Sequence, residues 1–591
     1  MMRHHRNAPW LLSVLTILTA LSLSLAACGG ATTPIATQPP SAPTSASPTT
    51  AAAQPTEPAA KPTEPLAPTQ APAKTEPVVL KVGWLGKPDT LNPAYAFLTE
   101  SYVVFDLIYN PLVTEDPSGK YVGALAKEWK TSEDGLTWTF TLKDNIKWHN
   151  GTPLVAADVA WAINAVMKDP DGWASSANYA AGFKEVTAPD DKTVKIVLDN
   201  PIGNMEYRLS FLYAIYPKDF EQFKTPEDLQ NFANDAAIGT GPFKIQRFDK
   251  DQGILILDTN TDYFDGRAKI DQVLFQTFDN ADALVQALKV GDVDMMNEVP
   301  QTAFNTVKGF ENVQAVQQPG RYLSELIINS VPADHDPAPK RNSALIDPQV
   351  RLAMAHAINK QDLVDVVLQG LGSPGTTIIP PTLGGGFWHN GDLKNVEFNL
   401  QKANDILEAA GYKKGISGVR AKGDVQLKFR LQFPSDNPLY PRVADLLTSW
   451  FKEIGIQTTP EATDPDALTA AITPTGDYDL VIWGWGADPD PDFMLSVMTT
   501  DQFVDGGWSD SGYSNPDYDQ LYHDQQLAFD RNERQKIVWK MQEMVFNDRP
   551  YIVNWYEDYL QAYRSDKFKG FIESPLGIET QASLLQIEPV K

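Results

Sequence analysis

YDLVIWGWGADPDPDFML, Tyr478 to Leu495, joins an apolar run to three acidic residues through a glycine. The run from Leu480 to Trp485 has no polar member, which predicts a strand buried on both faces, as in a parallel sheet flanked by helices. Gly486 permits a turn, and the two prolines that follow it exclude a regular helix there. Ligands of open α/β sheets bind beyond the carboxyl ends of the strands, so this segment predicts a binding site around Asp488.

Two tryptophans of the same run are further candidates for ligand contact. Trp483 and Trp485 alternate with glycines and are therefore expected to face the same side of the strand. Trp485 lies nearer the strand end and is the candidate for an aromatic wall, with Trp483 as the weaker one. Core packing is the alternative for both, and turn formation through neighbouring amides is the alternative for Asp488.

The acidic residues of the segment also resemble the start of a calcium loop. Asp488, Asp490 and Asp492 follow the D-x-D-x-D spacing, but Phe493 replaces the glycine at the sixth position and Thr499 the glutamate at the twelfth. No metal and no cofactor are therefore expected.

Length and charge limit the class of protein. The chain has 591 residues, enough for more than one domain, and a formal net charge of −26. Nucleic-acid binding needs a basic face, which this composition does not provide, so no nucleic-acid partner is expected.

The amino-terminal region indicates export and anchoring. Basic residues precede an apolar stretch from Trp10 to Leu25, which is short and ends in small residues, as in a signal peptide over residues 1–27. The LAAC string resembles the bacterial lipobox, which implies lipid attachment to Cys28, the only cysteine. Residues 28–77 then form a Pro/Thr/Ala-rich segment expected to act as a disordered tether to the membrane.

The folded body is expected to start at residue 78 and to be α/β with mixed sheets, because strand and helix patterns intermingle. Alternation and apolar spacing predict the following elements: strands at 78–84, 136–143, 193–198, 253–257 and 427–433, and helices at 348–358, 360–369, 404–410, 440–454 and 532–546.

Five ordered blocks resemble one family, the extracellular solute-binding proteins of family 5, which are the peptide and nickel binders of ABC importers. They cover most of residues 78–591, and the first is the most specific: GALAKEWKTSEDGLTWTFTLKDNIKWHNGTPLVAADVAWAINAV (123–166), GTGPFKIQRF (239–248), DTNTDYF (258–264), DPQVRLAMAHAINK (347–360) and the GWGAD of the segment quoted first.

The resemblance implies a two-lobed clamp, of the periplasmic-binding-protein type, that closes on a ligand outside the membrane and delivers it to a permease. The first lobe would comprise residues 78–325, with an extra subdomain at about 121–238, and a return at 560–591. The second lobe would comprise residues 326–559. A monomer that is not an enzyme is expected, extracytoplasmic and held at the membrane by its lipid.

The resemblance also implies roles for the candidate residues. Asp488 matches the position whose carboxylate pairs with the ammonium group of a peptide, and Trp485 would pack on the ligand. Tyr322, in GRYLSELIIN before the expected hinge, is a weaker candidate for the cleft. Oligopeptides are the expected ligands, and oligosaccharides or another solute are the alternative.

Enzyme signatures are missing from the sequence. The five histidines after residue 28 show no HExxH spacing, and neither a GxSxG elbow nor a phosphate-binding Walker loop occurs. A glycoside hydrolase needs only two carboxylates, so it remains the alternative from a different class.

Overall fold

The computed structural model describes residues 76–591. Cys28, the signal peptide and almost all of the expected tether lie outside these residues. Within the described part of the chain, no helix is both long and apolar enough to cross a membrane.

The strands are numbered in chain order: β1 (Val79–Trp84), β2 (Val113–Glu115), β3 (Tyr121–Gly123), β4 (Ala126–Thr131), β5 (Thr137–Leu142), β6 (Phe183–Asp190), β7 (Thr193–Leu198), β8 (Phe243–Asp249), β9 (Ile254–Thr259), β10 (Gln272–Thr277), β11 (Met295–Met296), β12 (Val313–Ile328), β13 (Gly372–Pro374), β14 (Lys413–Lys414), β15 (Arg420–Lys422), β16 (Val425–Gln426), β17 (Lys428–Pro434), β18 (Gln457–Thr463), β19 (Leu480–Gly486), β20 (Tyr551–Arg564), β21 (Phe568–Lys569) and β22 (Glu588–Pro589).

The α-helices are numbered in the same way: α1 (Thr99–Ile108), α2 (Ala156–Lys168), α3 (Ala177–Ala180), α4 (Met205–Ser210), α5 (Pro217–Phe220), α6 (Pro226–Gln230), α7 (Ala281–Val290), α8 (Gln301–Lys308), α9 (Pro348–Ala357), α10 (Lys360–Val366), α11 (Leu400–Ala409), α12 (Tyr440–Glu453), α13 (Pro465–Ile472), α14 (Asp492–Ser496), α15 (Pro516–Leu527), α16 (Arg531–Asp548) and α17 (Gln581–Leu584).

One large mixed sheet runs through the described residues in the order β18-β17-β19-β12-β20-β11-β1-β10-β9-β8, with β13 added beside β20. β1 is parallel to β10 and β11, and β17 is parallel to β18 and β19. β12 is antiparallel to both of its neighbours, β19 and β20. A separate four-stranded antiparallel sheet, β4-β5-β7-β6, precedes most of this sheet in the chain.

Buried apolar side chains form two main cores. The first core is built from residues 80–316 together with residues 568–587. The second core is built from residues 323–556 and covers both faces of the large sheet: Ile328 and Ile482 pack on one face, and Ile327 and Val481 on the other. A smaller joint cluster, which includes Leu284, Leu371 and Leu560, combines side chains from both parts of the chain.

β12 and β20 are long strands that run from the first core to the second, paired with each other. The pairing is regular from Val313 to Pro319, is interrupted up to Leu323, and shifts again after Ser324. Asn554 is the extra residue of β20 at the second irregularity, which makes it a β-bulge.

Most of the elements predicted from local patterns are confirmed, because their signals lie in neighbouring residues. The alternation in β5 places Trp138, Phe140 and Leu142 in the first core. α9 begins at Pro348 with the Asp347 carboxylate accepting a hydrogen bond from an early helix amide.

Two predictions from the sequence require correction. The predicted helix at 404–410 begins earlier, at Leu400, because the side chain of Asn399 caps it. The predicted parallel environment of β19 holds only towards β17, since β12 pairs with its whole length in the antiparallel sense. Leu480 to Ile482 are buried, but Trp483 and Trp485 are only half-buried because this end of the strand leaves the core.

Candidate functional site

The loop after β19 brings Asp488 against the first core. Its Oδ2 accepts a hydrogen bond of 2.9 Å from the hydroxyl of Tyr207, which stands on α4. Burial raises the pKa of the half-buried Asp488, and the Tyr207 hydrogen bond opposes that rise. This contact therefore places a carboxylate where the two cores meet.

The other two acidic residues of the loop have partners of their own. Asp490 is 2% exposed and binds the guanidinium of Arg534 through both carboxylate oxygens, each at 2.5 Å. Asp492 accepts a 2.5 Å hydrogen bond from Gln525. The three carboxylates thus have different partners, and among residues 76–591 no group of three acidic, histidine or cysteine side chains is arranged to hold a metal ion.

Trp485 is held in place through its indole nitrogen. Nε1 donates to Asp510 Oδ2 at 2.9 Å and to the Tyr551 hydroxyl at 3.2 Å. Burial raises the pKa of Asp510 to about 7. The rings of Trp485 and Phe493 meet edge to face with 5.7 Å between centroids, so the indole supports the residues that follow Asp488.

Trp483 and Tyr322 lie elsewhere on β19 and its neighbour. Trp483 shares the face of Trp485 and packs on the second core. Tyr322 lies over Gly484 on the opposite face, near Tyr440. The structure therefore groups Trp485 with the Asp488 loop through Phe493, whereas Tyr322 lies on the other side of the sheet.

A cleft of ≈ 950 Å³ lies around Asp488, and we call it the first cavity. Its walls combine polar side chains with several aromatic rings, and Trp508 is 53% exposed there. The side chains that line it include the following: Tyr179, Tyr207, Arg208, Asp488, Asp492, Phe493, Trp508 and Tyr522.

A second cavity of ≈ 1250 Å³ adjoins the first. Pro489, which follows Asp488, lines it. Phe211 also lines it and packs on two rings of the first cavity, Tyr179 at 4.8 Å and Tyr207 at 5.3 Å between centroids. The remaining lining residues used below are these: Tyr102, Asp106, Tyr109, Glu115, Asp116, Tyr213 and Arg321.

An ion pair lies beside the second cavity. The guanidinium of Arg321, on β12, donates to both carboxylate oxygens of Glu115, on β2, at 2.7 and 2.9 Å. Both side chains are largely buried, at 16% and 9% exposure. The pair therefore neutralises the only arginine among the residues that line this cavity.

Tyr207 and Asp106 are site residues that sequence reasoning missed. Both lie in helices of the first part of the chain, hundreds of residues from Asp488. A tyrosine or an aspartate in an amphipathic helix gives no local sign that it faces a cleft. The only signal was the polar Asp106 within the apolar run YVVFDLIY.

Known proteins resemble this chain over most of its length. The family model described as bacterial extracellular solute-binding proteins, family 5 Middle, matches residues 120–505. The oligopeptide-binding protein AppA of Bacillus subtilis is 27% identical over 483 residues, which are 81% of this chain and 86% of that protein. The dipeptide-binding protein of Escherichia coli is 25% identical, covering 83% and 91%.

The fold is shared with solved structures as well. The ABC transporter substrate-binding protein CtaP of Listeria monocytogenes superposes with a TM-score of 0.74 at 24% identity. The match covers 87% of this chain and 99% of that structure. The two-lobed α/β architecture of such proteins is therefore the architecture of this chain.

Proposed function

Because this chain belongs to the bacterial extracellular solute-binding proteins of family 5, we propose that it captures short peptides outside the membrane for an ABC importer. Its role is binding and delivery to the permease, without a chemical step. The protein acts as a monomer with one ligand enclosed between two lobes.

The observation that carries the peptide proposal is the environment of Asp488. Its carboxylate lines an aromatic cavity, and within residues 76–591 no lysine, arginine or histidine forms an ion pair with it. A carboxylate in such a place gains most from a cationic hydrogen-bond donor. The terminal ammonium of a peptide supplies that donor, and aromatic faces around it add cation–π attraction.

The two cores support the proposal of a clamp. We propose that the first lobe comprises residues 78–325 and 560–591, and the second lobe residues 326–559. Tyr207 and Asp488 then lie on opposite lobes, so a ligand that contacts both favours the closed form. β12 and β20 would provide the hinge, since both strands pass between the cores.

Replacement of Asp488 by asparagine tests the proposed ammonium contact. Asp488→Asn keeps the shape of the side chain but leaves a bound ammonium without its charged partner. The expected cost is about 2–5 kcal/mol, or roughly 30- to 4000-fold in affinity, measured by titration calorimetry with a short peptide. The matched control is the same peptide with an acetylated amino terminus, which should bind the wild-type protein weakly and be insensitive to the substitution. Equal binding of the free and acetylated peptides would refute the role of Asp488.

An oligosaccharide is the second candidate ligand, and the exposed ring of Trp508 in the first cavity favours it. Sugar rings stack on such indoles through their apolar faces. Calorimetry with a maltodextrin and with a peptide of similar length separates the two ligands. If the maltodextrin alone gives heat, the peptide proposal is wrong.

We also propose that the protein is attached to the membrane by a lipid on Cys28, with residues 29–77 as the tether. Export and anchoring fit a receptor that must stay close to its permease. Mass spectrometry of the mature amino-terminal peptide would show the diacylglycerol on Cys28, whereas an unmodified thiol would contradict the anchor.

A further inference from the structure

The second cavity contains a carboxylate, that of Asp106, which has no part in the proposed ammonium contact at Asp488. Asp106 stands on α1, and its only hydrogen bond within the described residues comes from the hydroxyl of Tyr213, at 3.0 Å to Oδ1. No lysine, arginine or histidine of residues 76–591 forms an ion pair with it. Asp106 exposes part of its side chain, and it lines the second cavity, where neighbouring protein atoms limit its hydration.

The other charges of the second cavity do not compensate Asp106. Arg321 is committed to Glu115 by two hydrogen bonds. Asp116 is occupied within its own turn, where Oδ1 accepts from the amides of Ser118 and Lys120. An excess of negative charge therefore remains at Asp106, enclosed by walls of low polarity that strengthen its field.

Aromatic rings surround this carboxylate. Tyr102, Tyr109, Phe211 and Tyr213 all line the same cavity. Tyr102 and Phe211 meet edge to face at 6.2 Å between centroids, and Phe211 continues the row of rings to Tyr179 in the first cavity. A carboxylate next to aromatic faces is an environment that favours an organic cation, through ion pairing and cation–π attraction together.

The position of the second cavity relates it to the proposed peptide site. Asp488 lines the first cavity and Pro489 the second, so the two cavities are separated by one peptide unit of the loop and by the rings of Tyr207 and Phe211. A chain whose ammonium is bound at Asp488 can therefore direct a nearby side chain towards Asp106.

We propose that Asp106 is a specificity-determining residue that binds the side-chain cation of a lysine or arginine near the amino terminus of the peptide. This inference rests on the proposed function. It narrows the substrate class to short basic peptides, which carry two positive charges where the protein presents two carboxylates.

Matched peptides that differ only in one charge test the proposal. A series of tetrapeptides would carry lysine at one of the first three positions, and each would be compared by calorimetry with its norleucine counterpart. For at least one position, the lysine peptide is expected to bind about tenfold or more tightly, as a charge-assisted hydrogen bond implies. Asp106→Asn should abolish this preference and leave the affinity for the norleucine peptide nearly unchanged, and Asp106→Glu should retain part of it.

Two controls distinguish the subsite from general attraction to an acidic protein. Asp282→Asn removes one exposed carboxylate of α7, outside both cavities, and should leave the lysine preference intact. The preference should also decline as the pH falls below about 6, because burial raises the pKa of Asp106 to about 6 and protonation removes its charge. The ionisable groups that face it across the cavity are Tyr102, Tyr109, Tyr213, Glu115, Asp116 and Arg321.

The results separate this inference from the proposed function. Binding of lysine and norleucine peptides with equal affinity, or a preference that survives Asp106→Asn, would overturn the role of Asp106 while the peptide function stands. If none of the peptides binds, both proposals fall. Binding of spermidine in preference to every peptide would also overturn the inference, since the cationic ligand would then be a polyamine and not a peptide.

Discussion

At the scale of single residues, three neighbouring carboxylates of one loop have three different roles. Asp488 faces the first cavity, Asp490 forms a buried ion pair, and Asp492 binds a glutamine of α15. The sequence predicts Asp488 as the ligand-binding residue because it lies just beyond the end of the strand. It cannot distinguish the three by partner, since Tyr207, Arg534 and Gln525 come from distant segments.

The Asp490–Arg534 pair should be essential for stability. Arg534 is 1% exposed and is bound by Asp490 and Gln525. Arg534→Met leaves a buried carboxylate without its cation and should lower the free energy of unfolding by about 3–5 kcal/mol in urea titrations. Adding Asp490→Asn should restore part of this loss, because no uncompensated charge then remains.

Lys536, on the same helix, offers a control for this substitution. Its ion pair with Glu533 is exposed on both sides, at 69% and 64%. Lys536→Met should therefore change the free energy of unfolding by no more than about 1 kcal/mol. Similar losses for Arg534→Met and Lys536→Met would show that the buried pair is not important for stability.

At the scale of elements, local patterns predict strands and helices well but predict their neighbours poorly. The signals for β5 and for the start of α9 at Asp347–Pro348 lie in adjacent residues, and both elements are confirmed. The antiparallel pairing of β19 with β12 has no such local signal, because β12 lies about 150 residues earlier in the chain. The residues that line the cavities are equally hard to predict from local sequence, because Tyr207 and Asp106 reach them only after distant helices have packed.

The two glycines of β19 should differ in their tolerance of a side chain. A Cβ at Gly484 would lie 2.1 Å from the hydroxyl of Tyr322, whereas one at Gly486 would meet nothing within 4 Å. Gly484→Ala must displace the Tyr322 ring and should reduce the free energy of unfolding by about 1–3 kcal/mol. Gly486→Ala is the matched control and should be close to neutral.

Urea-induced unfolding of both variants would measure the difference. Equal stability of Gly484→Ala and Gly486→Ala would mean that the Tyr322 ring is free to move off the strand. In that case its packing over Gly484 would not fix the position of β12 against β19.

At the scale of the whole molecule, hydrogen bonds join the two parts of the chain near the first cavity. They include the bond from the Tyr207 hydroxyl to Asp488 and a bond of 2.7 Å from the Gly203 amide to the Gln526 carbonyl. These are separate hydrogen bonds, whereas β12 and β20 join the cores through continuous, paired backbone. In the proposed clamp, the cores separate at the cavities while the paired strands hold them together.

Ligand binding should make the protein more compact. A peptide that contacts both cores shifts the population towards the closed form, so the radius of gyration in solution X-ray scattering should fall when a bound peptide is added. The N-acetylated peptide at the same concentration is the control and should leave the scattering curve unchanged. An unchanged radius of gyration at saturating peptide would indicate a rigid protein and would contradict the clamp.

The position of β20 in the large sheet has a consequence for biosynthesis. β20 lies between β12 and β11, yet it is formed by residues 551–564 of a 591-residue chain. Pairings between such distant segments form slowly, and here they cannot begin until residues 551–564 have been made. A growing chain without these residues lacks the strand that connects the two halves of the sheet. Its ability to enclose a ligand should therefore arise only after β20 has joined β12 and β11.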